Sequence, residues 1–199
     1  ERRGARVRPG RYDKVLVGWN ALAIEAFAKA GVALAEPRYV EAARRAADFI
    51  LDKMRTGSGR LLHTYCAGEA RLSAYLDDYT TLAAALVTLY QATFDERFID
   101  ESVSLMETVR AQFKDPAAPG FYFTADDHEE LLMRNKDLTD GATPGGNSMA
   151  VIALLRLGNL LGRTDYLSQA DGILRQATPL MQGMPMGMGT MLLALDLWQ

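Results

Sequence analysis

Acidic residues gather where this chain would build a carboxyl pair for proton transfer or a set of oxygens for holding hydroxyls. Asp77 and Asp78 stand side by side at the head of an apolar run. One carboxylate there suffices to cap the free N–H groups of a starting helix. The other is then available for acid–base work on a sugar, or for binding its hydroxyls. Further along, Arg134, Lys136, Asp137 and Asp140 alternate in sign and lead through Gly141, Pro144, Gly145 and Gly146 into Asn147 and Ser148. As a solvated loop these charges would form screened ion pairs of about 0–1 kcal/mol each. As a cradle, the arginine and lysine would grip carboxylate, phosphate or hydroxyl oxygens. A glycine-rich turn opening a helix can also receive an anion, although no Gly-Lys-Ser/Thr follows it and the pattern is not a nucleotide loop. Asn147 and Ser148 serve equally as caps or as ligand contacts. Trp19, Asn20, Tyr75, Tyr79 and Tyr122 add polar edges and aromatic faces that stack on a pyranose ring or pack in a core. The expected site therefore takes Asp77, Asp78 and Asp137 as catalytic, with Trp19, Asn20, Tyr79, Arg134, Lys136, Asp140, Asn147 and Ser148 as substrate contacts.

Other chemistries find little support. His63 and His128 are the only histidines, and neither sits at a metal-ligand spacing. No metal and no cofactor is expected. Cys66 is the only cysteine, so no intrachain disulfide forms, which is compatible with a cytoplasmic location. There is no Gly-x-Ser-x-Gly nucleophile turn. A formal charge of -3 over 199 residues argues against a nucleic-acid partner. The one basic cluster, Arg2, Arg3, Arg6, Arg8 and Arg11, reads as a solvated arm over residues 1–13. No apolar run reaches the roughly 20 residues of a membrane span. The absence of an initiator Met, and a stop just after the apolar stretch Met191–Leu195, suggest a piece of a longer protein.

The elements that must position these residues emerge as an internal repeat. Asn20, Asp78 and Asn147 lie 58 and 69 residues apart, and each is followed after 19, 20 and 19 residues by an aromatic, Tyr39, Phe98 and Tyr166. Each unit reads as a helical hairpin broken at Glu36-Pro37-Arg38, Asp95-Glu96-Arg97 or Arg163-Thr164-Asp165, giving repeats over 19–56, 77–114 and 146–182. Two first helices, Tyr79–Phe94 with no charged residue and Ser148–Gly162 with only Arg156, read as buried all round. The second helices are two-faced: in Tyr39–Met54, Tyr39, Ala43, Ala46, Ile50 and Met54 mark the inner side. Two concentric layers follow. The expected fold is all-α, an incomplete (α/α) toroid of about three hairpins with short β-like connections at 60–65 and 120–124, the latter pairing with 130–134. Residues 183–199, with a Met-rich stretch from Met181 to Met191, begin a further helix. In such a toroid the loops before the inner helices line one mouth, where the acids above would meet.

The succession Asp13-Lys14-Val15-Leu16 with Trp19-Asn20, then Leu76-Asp77-Asp78-Tyr79, then Gly120-Phe121-Tyr122-Phe123-Thr124, and finally Arg134-x-Lys136-Asp137-x-x-Asp140-Gly141-Ala142-x-Pro144-x-Gly146-Asn147-Ser148 resembles the helical domain of the thioredoxin-domain-containing family related to the spermatogenesis-associated thioredoxin-like protein. The resemblance runs in order over nearly the whole chain. It implies a helical domain like the six-hairpin glycosidases and N-acylglucosamine 2-epimerases, with a thioredoxin-like domain of the same parent chain as partner. It also implies a carbohydrate or sugar-phosphate ligand, or else a scaffold serving the attached domain. Gly145 departs from the family's usual serine.

Overall fold

The computed structural model describes residues 6, 7, 10, 12–129 and 132–199. Arg2, Arg3, Arg8 and Arg11 of the basic arm, and Glu130 and Leu131, lie outside them. The chain runs β1 (Val15–Leu16), α1 (Val17–Ala33), α2 (Pro37–Lys53), β2 (Leu62–Cys66), β3 (Glu69–Ser73), α3 (Leu76–Thr93), α4 (Arg97–Gln112), α5 (Gly146–Leu161), α6 (Thr164–Gly183) and, after a 3₁₀ turn at Pro185–Gly187, α7 (Gly189–Trp198). Three antiparallel hairpins result, α1–α2, α3–α4 and α5–α6. The first helices lie side by side in the order α1, α3, α5, α7, and α2, α4 and α6 each back onto their own partner.

Composition explains which helix goes where. Every residue of α3 from Asp78 to Leu89 is buried, because the helix offers no face that gains from water. In α2 the buried stripe is Ala43, Ala47, Ile50, Leu51 and Met54. Tyr39 and Ala46, expected on that stripe, are only half-buried. Each first helix gives way to a left-handed residue, Ala35 (φ 53°), Phe94 (φ 56°) or Gly162 (φ 67°), which reverses the chain. The repeat extends to packing. A Cβ on Gly31 would lie 2.5 Å from Val40, and one on the corresponding Gly158 would lie 2.6 Å from Leu167. Hairpins one and three therefore cross at the same pair of positions.

Two local expectations need correction. Asn20, Asp78 and Asn147 are not N-cap residues, because α1, α3 and α5 start upstream of them; Asp78, inside the first turn, instead accepts the N–H of the N-cap residue Tyr75 in a capping box. Of the 130–134 segment expected to pair with the connection at 120–124, Glu130 and Leu131 lie outside the described residues and 132–134 form no strand. The connection makes an isolated bridge with Lys114 through Phe121, and Phe123 N–H reaches the Asn135 carbonyl at 2.7 Å. The β character expected at 60–65 appears as β2, which pairs with β1 and β3 in an antiparallel sheet of order β1, β2, β3. The β2–β3 turn holds Ala67 and Gly68 at positive φ, the geometry that suits a two-residue hairpin.

Candidate functional site

The starts of α1, α3, α5 and α7 meet at one end of the array, and two aspartates tie them together. Asp78 is 1% exposed. Its Oδ1 accepts Gly18 N–H at 2.9 Å, and its Oδ2 accepts Tyr75 N–H at 3.0 Å and meets His63 Nδ1 at 2.7 Å. Asp140 does the same work on the other side, accepting Gly145 N–H at 2.8 Å and Thr190 N–H at 2.7 Å. Both carboxylates thus satisfy backbone donors that a helix start leaves open.

Several other expected site residues are engaged in structure. Asn147, 1% exposed, grips the 120–124 connection: it accepts Phe121 N–H at 2.8 Å and donates to the carbonyls of Phe121 at 2.9 Å and Asp137 at 2.8 Å. Gly120, at φ +104° with Asn147 Oδ1 only 3.2 Å from where a Cβ would be, is required by that clamp. Asn20 donates to the Leu16 carbonyl at 2.8 Å. Tyr79 is buried, and its hydroxyl accepts Leu61 N–H at 2.9 Å. Ser148 is buried, with no partner for its hydroxyl among the described residues. Arg134 donates to the carbonyls of Thr124 and Gln112 and lies 4.4 Å from the Tyr122 ring centre. Gly145 approaches Thr139 so closely that a Cβ would stand 2.5 Å from its carbonyl oxygen; a serine there would displace the loop.

Lys136 donates to Asp115 at 2.6 Å. This bond, with the Ala117 N–H, lowers the Asp115 carboxyl from 3.8 to about 2. A depressed carboxyl stabilises the fold above its unfolded pKa and loses that contribution as pH falls through its folded value. Acid unfolding of wild type and Lys136→Met should therefore differ most at pH 5 and above, with the difference closing between pH 4 and 2. A pH-independent difference would assign Lys136 a packing role instead.

What remains at this end is a smaller set. Asp77 and Asp137 line one cleft of about 240 Å³, together with Leu76, Phe123, Thr139 and Thr143. Asp77 also borders an adjoining hollow with Trp19, Leu22, Thr81 and Pro144. Its Oδ1 is buried with no hydrogen-bond partner among the described residues. Burial, and then the charge of Asp78, push its carboxyl above the usual range, because both disfavour the ionised form. Asp137 is exposed, and one of its oxygens accepts Thr139 N–H at 2.8 Å and Thr139 O–H at 2.7 Å. Trp19 is 59% exposed, with the Tyr12 ring 6.1 Å away.

His63 has no role in the sequence reading, which weighs it only to set aside a metal site. It sits on β2 as part of an unremarkable strand, 15 residues from Asp78, and only folding brings the two together. The Asp78 hydrogen bond raises the His63 pKa against the opposing effect of burial. Its ring stands edge-on to Tyr75 at 5.1 Å, and His128 lies 5.5 Å from the same tyrosine. Among the described residues there is no cluster of three or more His, Cys, Asp or Glu arranged to hold a metal, and no helix long and apolar enough to cross a membrane. A larger groove of about 720 Å³ lies on the outer side against α4, α6 and the 114–120 loop. Its Glu107 and Arg110 are engaged with Arg163, Asp165 and Gln169.

No protein-family model matches the chain. Spermatogenesis-associated protein 20 of Mus musculus is 29% identical over 197 residues, covering 94% of this chain and 25% of that protein. Its Homo sapiens counterpart is 28% identical over 204 residues, covering 98% and 26%. The chain thus spans about a quarter of the length of these relatives. Among solved structures, a GH76 alpha-mannanase of Bacteroides thetaiotaomicron superposes with a TM-score of 0.70 at 14% identity, over 86% of this chain and 46% of that one. The cellobiose 2-epimerase of Spirochaeta thermophila gives 0.67 at 14% identity, over 85% and 44%. A D-mannose isomerase gives 0.65 at 15% identity, over 83% and 41%. These likenesses establish the α/α-toroid type of fold.

Proposed function

We propose that this chain is rather less than half of an α/α toroid, its three hairpins and α7 forming an incomplete ring, and that its mouth binds and processes a carbohydrate by acid–base chemistry. The observation that carries this reading is Asp77: a carboxyl with an unpartnered buried oxygen, held above its usual pKa, bordering both a cleft shared with Asp137 and a hollow shared with Trp19. A carboxyl that keeps its proton to higher pH than usual, a second carboxylate and an aromatic platform are what sugar chemistry needs. The names of the similar structures, acting on mannose, cellobiose or mannan, supply the first ligands to try.

The ligand is a neutral sugar rather than a sugar phosphate. Arg134 and Lys136, the cations that would have held a phosphate, are spent on backbone carbonyls and on Asp115, and among the described residues no Lys or Arg lines the cleft of Asp77 and Asp137. In the scaffold alternative the acids would all be consumed structurally, as Asp78 and Asp140 are; Asp77 is not. A thioredoxin-like domain elsewhere in the parent protein would then be a neighbour of this site rather than its purpose.

The test is tryptophan fluorescence of the intact protein, titrated with mannose, cellobiose, mannobiose and their phosphates. Neutral sugars should quench saturably, phosphates at least tenfold more weakly, and Trp19→Ala should abolish the response. Saturable binding of phosphates alone would overturn the neutral-sugar reading. No response to any sugar, confirmed by calorimetry, would leave the scaffold alternative in its place.

A further inference from the structure

We infer that the groove between α4 and α6 is a docking site for an extended acidic peptide segment, whose carboxylate is received by Lys114. The groove belongs to the outer layer and shares no lining residue with the clefts of Asp77. Its walls are set by where the outer helices are tied. The seam between α2 and α4 is bridged directly by Arg97 to Asp48 and Arg55 to Glu101. Between α4 and α6 the bridges gather at one end: Arg110 to Asp165 at 2.9 Å, Arg163 to Glu107 at 3.0 Å, and the Tyr166 hydroxyl to Glu107 at 2.7 Å. At the other end the 114–120 loop is pinned by Lys136, which donates to Asp115 at 2.6 Å and to the Pro119 carbonyl at 3.2 Å. Between these clamps a hollow of about 720 Å³ stays open, walled by Ala111, Pro116, Ala117, Ala118, Pro119 and Gly172. Both ends are held by the fold itself, so an occupant meets a preorganised surface.

Gly172 is the first sign of an occupant. Gly31 and Gly158 are forced by packing, with a neighbour 2.5 or 2.6 Å from where a Cβ would be. At Gly172 a Cβ would meet only Pro119, at 3.6 Å, which is ordinary contact. A glycine inside a helix costs stability relative to alanine, and here nothing in the fold requires it. What it provides is room in the groove. Charge is the second sign. The groups that line or bridge the groove are four cations, Arg110, Lys114, Lys136 and Arg163, against three carboxylates, Glu107, Asp115 and Asp165. The cation left over is Lys114, which is exposed and has no partner among the described residues. Gln169 gives its Oε1 to Arg110 at 2.9 Å and keeps its amide donors, and the Ala118 N–H is likewise unpartnered among the described residues. In a chain of net charge -3, this groove therefore offers N–H donors and one positive charge. That suits main-chain carbonyls and a single carboxylate; one free cation is too few for a phosphate dianion. Along α4 the groove runs from Glu107 to Lys114, about 10 Å at the helical rise, the reach of about three extended residues. Its small walls admit a backbone with short side chains.

The experiment is fluorescence polarisation of the intact protein with three fluorescein-labelled pentapeptide pools, centred on Glu, Gln or Lys and flanked by mixtures of Ala, Ser, Val and Pro. The Glu pool should bind at least tenfold more tightly than the Gln pool, and the Lys pool most weakly. Lys114→Glu, an exchange at an exposed position, should reverse that order. Gly172→Leu, which fills the groove, should abolish binding of every pool, whereas Gly172→Ala should be at least as stable as wild type. In nitrogen-15 spectra the Ala118 amide should shift on addition of the Glu pool. Equal binding of the Glu and Gln pools, no binding of any pool up to about 1 mM, or an unchanged order in Lys114→Glu overturns the inference. So does displacement of the Glu pool by glutarate at equal concentration, which would make the groove a site for small carboxylates. If Gly172→Leu fails to fold, the charge reversal at Lys114 decides. None of these outcomes bears on the reading of the mouth.

Discussion

Asp77→Asn should remove turnover of any sugar processed at the mouth by about 10²–10⁴-fold, the usual contribution of a positioned general acid, while leaving the fold intact. The replacement is isosteric, and Asp77 donates to and accepts from no other side chain among the hydrogen bonds that tie the helix starts together. What it loses is the proton. Burial and the neighbouring Asp78 hold that proton on Asp77 to higher pH than a free carboxyl would keep it. The same raised pKa predicts a stability effect of opposite sign to most substitutions. A carboxyl whose folded pKa lies above its unfolded value destabilises the native state progressively as pH rises through that interval. Asp77→Asn removes this penalty, so the variant should be as stable as wild type at pH 3–4 and more stable at neutral pH. Paired kinetic and urea-unfolding curves would show it. A variant that keeps full turnover, or one destabilised equally at every pH, would mean that Asp77 is a structural acid.

The neighbouring Asp78→Ala substitution should have the largest effect on stability, about 3–5 kcal/mol. Removing this carboxylate leaves the N–H groups of Gly18 and Tyr75 and the Nδ1 of His63 without their acceptor. Each buried unsatisfied donor costs about 1–3 kcal/mol. For a chain of this length that corresponds to a melting temperature lower by roughly 6–20 °C. Asp78→Asn, which keeps one acceptor oxygen, should lose about half as much. The contrast between adjacent residues is the point. Asp77→Asn is expected to spare or improve stability and abolish chemistry, while Asp78→Ala loosens α1, α3 and β2 together. A loss under 1 kcal/mol for Asp78→Ala, measured by denaturant unfolding, would contradict the clamp.

The sequence carried the layered plan because burial is written into composition. A run such as Tyr79–Phe94 with no charge can only be internal, and the two-faced 39–54 stretch can only be half-wet. The 19- and 20-residue spacings located all three hairpins, and the resemblance in the Trp19-Asn20, Asp77-Asp78 and Gly146-Asn147-Ser148 motifs agreed with them. The same reading expected Asp77, Asp137 and Trp19 at one mouth; Asp77 lines two adjoining clefts, one with Asp137 and the other with Trp19. Only the tertiary structure decided what each polar group does there. Asp78 and Asp140 are bound to N–H groups 60 and 50 residues away, and Asn147 to a carbonyl 26 residues away. No local pattern records such partners, so a clamp and a catalytic acid look alike in sequence. Arg134 and Lys136 read as an anion cradle because their charge is visible and the carbonyls and carboxylate that absorb it are not. His63 was assigned no role for the converse reason: its hydrogen bond to the buried Asp78 forms only when β2 folds against α1 and α3. Periodicity fixes which face of an element is buried; the hydrogen-bond partner of a polar group is a property of the packed whole.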